Sequence, residues 1–196
     1  MKIKNQRLTI AAVACGVLLS ISGCGTNEQD APATQPPTTI FSHPSYETDI
    51  HDQRKLAGDV DAIFVGTVLE QTGTKSLGAM PETQFRVKVI EVLKGDLDTE
   101  VTVNQQGGVH TESGDLMLME GDELISTGGS YIFAVRYFPQ ESWFSLVPAV
   151  GDIPLEARDV QMVENSDKSR SDSPEPAEVS QMRDSIANEI PFVPGG

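Results

Sequence analysis

The chain has 196 residues, with 14 Lys and Arg set against 29 Asp and Glu, a formal net charge of −15, and two cysteines. So acidic a chain repels phosphate backbones and anionic headgroups, whose binding rests on Lys and Arg, and nucleic acid is not an expected partner. Solubility is the plain account of the charge, and the length suits one domain with appended segments.

Met1 to Arg7 carry Lys2, Lys4 and Arg7 with no acid, and an apolar stretch runs from Leu8 to Ile21. That order is the one an export signal uses. The stretch falls short of the roughly 18 to 20 residues that a permanent spanning helix needs. Ile21, Ser22, Gly23 and Cys24 follow at once. They resemble the lipobox of bacterial lipoproteins: an aliphatic residue, two small ones, then the cysteine that receives diacylglycerol. The resemblance implies that residues 1–23 are a signal peptide, that Cys24 is the lipid attachment site, and that the protein is held on the extracytoplasmic face of the cell membrane. Two or three acyl chains on one residue bind a membrane durably, where a single chain gives marginal attachment. Loss of residues 1–23 takes Cys15 with it and leaves 11 basic against 29 acidic residues, a net charge of −18. No disulfide is then available inside the mature chain.

Residues 24–44 are rich in Thr, Pro, Ala and Gln and read as a flexible, disordered tether. A helix is expected over Tyr46 to Leu56, with Tyr46 and Ile50 apolar. Asp61 to Glu70 is a nearly continuous run of β-formers, as expected of a strand covered on both faces. Gln84 to Lys94 alternates with Phe85, Val87 and Val89 inward, then slips in phase so that Ile90 and Val92 carry the apolar face. A β-bulge near Val89 and Ile90 would return both sets to one core and bend the strand. Glu100 to Gln105 is a short third strand. The glycine-rich segment from Gln106 to Ser130 includes Leu116, Leu118, Leu124 and Ile125, and is expected to hold one or two short strands. Tyr131 to Phe138 and Trp143 to Val150 make a hairpin. Residues 164–178 read as a polar linker. Ser173 would cap a final helix with Pro174 at its first position, and Val179, Met182 and Ile186 fall at helical spacing.

In order, Ala62 to Val68, Phe85 to Asp96, Val101 to Val103 and Gly129 to Val135 resemble the bacterial members of the netrin-like family, over roughly residues 59–155. The resemblance implies the OB-type barrel also used by tissue inhibitors of metalloproteinases. The strand pattern agrees independently: five short strands, one strongly bent, with a long connection before the fourth, suit a small closed barrel. An immunoglobulin-like sandwich wants about seven strands. The expected fold is therefore mainly β, a five- to six-stranded Greek-key barrel of OB type with flanking helices. Residues 45–163 form this domain, and residues 179–196 a C-terminal helix and tail. The inhibitors' mechanism does not follow, because they bind the protease zinc through a free N-terminal cysteine and Cys24 would be consumed by lipid.

No enzyme is expected. His43, His51 and His110 lack a metal-ligand spacing, no thiol is free, and GxSxG and SxxK are absent. Neither Asp96, Asp98 and Glu100 nor Asp115, Glu120, Asp122 and Glu123 match an EF-hand loop, so a solvated loop is preferred to a calcium site in both places. No cofactor is implied. The aromatic supply, Tyr131, Phe133, Tyr137, Phe138, Trp143 and Phe144, gathers in one hairpin. Either the set Tyr131, Phe133, Val135 and Tyr137 or the set Ile132, Ala134, Arg136 and Phe138 faces outward, and an exposed set would be the best protein-binding surface. The expected function is a non-catalytic binding or protein-interaction module with an extracytoplasmic protein partner. The alternatives are an envelope enzyme with an unrecognised site and an accessory subunit of a membrane complex.

Overall fold

The computed structural model describes residues 37–43, 50–166 and 175–193. The expected signal peptide, Cys24, most of the expected tether, Tyr46, Ser173 and Pro174 lie outside the described residues. In chain order the elements are β1 (Thr39–Ser42), α1 (Gln53–Asp59), β2 (Ala62–Gly73), β3 (Glu82–Lys94), β4 (Glu100–Val109), β5 (Leu116–Met119), β6 (Ser130–Phe138), β7 (Trp143–Leu146), β8 (Asp152–Leu155), α2 (Ala157–Asn165) and α3 (Ala177–Ala187). No helix among them is long and apolar enough to cross a membrane.

Five strands close into a barrel in the order β2-β3-β4-β7-β6, returning to β2. All contacts in the ring are antiparallel except the closing one, where β4 and β7 pair in parallel through Val103 with Phe144 and Asn104 with Ser145. The first three barrel strands form a meander and the fifth returns beside the third, which is the Greek-key order of an OB-type barrel. Closure leaves the ring without an open edge. Three strands lie outside it: β8 adds to β6, β5 adds to the end of β4, and β1 pairs in parallel with β5.

The barrel interior is built from alternate residues. Phe64 and Val68 of β2, Phe85 and Val87 of β3, Val101 and Val103 of β4, and Phe133 and Val135 of β6 form one buried cluster. The rings of Phe64 and Phe133 stack at 5.0 Å between centroids. Gly66 continues the inner row of β2, where a Cβ would come within 2.9 Å of the Lys88 carbonyl and the Phe64 ring. Only glycine lets β2 and β3 approach so closely there.

A second core lies on the outside of the same strands. Ile63 and Val65 of β2 and Ile132 and Ala134 of β6 meet Leu56 and Ala57 of α1, Val163 of α2, and Val179 and Met182 of α3. The narrow stripe expected on the last helix is there, with Ile186 partly buried against it. That helix starts at Ala177, with Pro176 at its N-cap. Helix α1 starts at Gln53, later than expected, because Asp52 caps it by accepting a hydrogen bond from the Arg54 N–H at 3.0 Å.

Four sequence expectations change. The bulge in β3 is present, since Val65 pairs with Glu91 and Gly66 with Val89, leaving Ile90 extra; a second irregularity leaves Leu93 extra between Val92 and Lys94. Ile90 and Leu93 pack against the helix-side core while Val89 packs on the barrel core, so the bulges divide the strand between two cores. Val92 is 37% exposed. Strand β4 runs on to Val109 through Gly107 and Gly108, both at positive φ, which glycine tolerates. Strand β1 occupies part of the stretch read as tether: Leu116 N–H and Glu120 N–H donate to the carbonyls of Thr38 and Ser42. The pattern had also not revealed β8 or α2.

Candidate binding groove

The parallel contact between β4 and β7 is only two residues long. Towards the start of β4 the two strands separate, and the gap opens into a groove of about 900 Å³. Its walls come from four places: the start of β2 supplies Asp61 and Ala62, the β3–β4 turn supplies Asp96, Leu97 and Asp98, β4 supplies Glu100 to Thr102, and the β6–β7 hairpin supplies Tyr137, Pro139, Ser142 and Phe144. Sequence reasoning had named three of the four carboxylates and both aromatic rings without connecting them. It missed Asp61, which looked like the polar start of a buried strand.

Local structure holds the groove open. The Asp61 carboxylate accepts the Tyr137 N–H at 2.8 Å, tying the hairpin to β2. Tyr137 and Phe144 pair across β6 and β7 with centroids 5.0 Å apart. Ser142 adopts φ 56 in the tight turn between these strands. Glu100 shares the Arg86 guanidinium with Glu70, whereas Asp96 and Asp98 have no ion pair among the described residues.

Neither of the two proposed outward aromatic sets forms a patch. Phe133 and Val135 lie inside the barrel, and Ile132 and Ala134 lie under the helices. Both faces of β6 are therefore buried until its last residues, where Tyr137 emerges 46% exposed. Tyr131 spends its hydroxyl on Ser126, accepting from the backbone N–H at 3.2 Å. Trp143 is buried beside Phe138, and the Lys75 ammonium lies 5.8 Å from the centre of its ring.

The remaining candidates have structural partners. His43 pairs with Glu120, and His110 faces Ser113. Asp115 accepts from the Thr38 N–H at 2.9 Å, which lowers its pKa and pins β1 to β5. Among the described residues no three His, Cys, Asp or Glu side chains converge as a metal site. No family model matches the chain, and no curated protein matches it either.

At the other end of β4 the barrel is capped by buried polar groups. Gln105 donates to Asp122 at 3.2 Å and to the Glu123 carbonyl at 2.8 Å, and accepts the Ile125 N–H at 2.9 Å. Asp122 is buried with Oδ2 lacking a hydrogen-bond partner, and burial raises its pKa. Burial first, and the Asp122 charge second, push Asp152 up to about 7. On the outer face, Gln84 donates to Asn104 at 2.6 Å and Asn104 donates to Glu82 at 2.9 Å. These side chains fasten loops to the barrel.

Proposed function

We propose that the protein is a lipid-anchored, extracytoplasmic, non-catalytic interaction module, carried on Cys24 and binding a protein partner through its barrel. The observation that carries the reading is the groove at the hairpin end, a concave surface that holds a half-exposed tyrosine. Concave surfaces with a few convergent polar groups are where partners dock, and exposed aromatics in such places supply much of the binding energy. The OB-type strand order supports a netrin-like module, since it is the architecture that likeness implies. The lipobox run supports the anchor, because residues 21–24 combine the small residues and the cysteine that lipidation requires.

Two measurements test this. Metabolic palmitate labelling of the full chain should disappear in Cys24→Ala, and retained label would refute the anchor. Purified full chain should bind isolated envelopes saturably, with binding lost after the envelopes are treated with protease. Binding that rises linearly without saturation would refute the interaction module.

A further inference from the structure

We infer that the partner segment seated in the groove is basic: an extended stretch whose lysine or arginine side chains lie between the carboxylates and the Tyr137 ring. This rests on the interaction-module reading and names the chemistry of its partner. Four carboxylates, Asp61, Asp96, Asp98 and Glu100, line the groove, and no Lys, Arg or His does. Only two of them have their charge engaged from within the described chain, Asp61 by a backbone N–H and Glu100 by a guanidinium that it shares. Gathered negative charge facing a gap focuses the field there and attracts cations.

The remaining lining decides what kind of cation fits. A compact metal ion wants several oxygens converging on one point, and no such convergence exists among the described residues. The carboxylates instead share the lining with apolar Leu97, Val101, Pro139 and Phe144 and with the ring of Tyr137. A long basic side chain matches both parts: its aliphatic stem covers apolar surface while its head stays with the charges. A cation over the tyrosine ring gains further attraction from the ring's face. An acidic segment would meet repulsion, and a purely apolar one would desolvate carboxylates with nothing in return.

The test uses the full chain purified in detergent and a dye-labelled peptide of alternating lysine and alanine, read by fluorescence anisotropy. Saturable binding is expected, with none for the glutamate–alanine counterpart. The double variant Asp96→Asn/Asp98→Asn should weaken binding about tenfold. The double variant Glu156→Gln/Glu178→Gln removes the same charge from exposed positions that do not line the groove, and should weaken binding less than about twofold, because distant surface charges are screened. Tyr137→Leu should weaken binding about threefold even in high salt, through lost ring–cation contact. Equal losses in the two double variants would reduce the attraction to diffuse charge and overturn the inference, as would absence of saturable binding. Saturable envelope binding that the lysine peptide fails to displace would overturn the basic partner while leaving the interaction module standing. Peptide binding without saturable envelope binding would do the reverse.

Discussion

The barrel presents two contrasting outer walls. On one, β2 and β6 show Ile63, Val65, Ile132 and Ala134 to three helices in a buried apolar core, with the Arg136–Asp59 and Arg183–Glu91 ion pairs around it. On the other, β3 and β4 carry Gln84, Arg86, Thr102 and Asn104, hydrogen-bonded or exposed, and β4 and β7 part to leave the groove. The same five-stranded ring is thus sealed where it needs stability and left open where strand pairing is shortest. A surface that binds a partner reversibly must stay wet in its absence, and the helix-covered wall is not available for that.

The contrast can be broken most severely from the inside. Phe133→Ala removes a fully buried ring stacked on Phe64, and chemical denaturation should show a loss of about 3 to 5 kcal/mol. Next comes Met182→Ala, which empties the contact between α3 and the barrel wall. A loss of about 2 to 4 kcal/mol is expected. If denaturation of this variant shows no loss, the helices do not share the stability of the barrel.

Smaller effects sharpen the polar side. Asp152 has a folded-state pKa of about 7, above its ordinary 3.8. The folded protein therefore binds more protons than the unfolded chain between those values, so the contribution of this group to stability falls as pH rises from about 4 to 7 and is flat above. Asp152→Asn should flatten that decline and raise the melting temperature at pH 8 relative to the parent, with little change at pH 4. A parallel pH profile for both proteins would show that the carboxyl is not perturbed. Tyr137→Ala should have the least effect on stability, under about 1 kcal/mol, since the ring is half exposed. Its effect should appear in envelope binding, measured as a weaker saturable component. An unchanged binding curve would remove the groove from the interface.

Much of the barrel was legible in the sequence because alternation and turn residues are local signals. The run from Ala62, the slip at Val89 and Ile90 and the hairpin around Pro139 all appear where their patterns place them. The pattern was silent on α2 because its helix turns only Val163 fully inward. It was silent on β8 because a four-residue strand containing Pro154 carries almost no alternation. Of the groove, Asp96, Asp98, Glu100, Tyr137 and Phe144 could be named in advance but not assembled.

By itself the sequence determined where the five strands of the ring lie along the chain, the bend in its second strand, and the motif at Cys24 that makes lipid attachment the expectation. Only the tertiary structure decided which side of β6 lies inside. Alternation reports a face only when the opposite face is wet, and both faces of β6 are buried, one by the barrel and one by the helices. The groove was decided there too. Its carboxylates and rings stand up to 83 positions apart, from Asp61 to Phe144, and meet only because β7 closes the barrel against β4 for two residues and then departs.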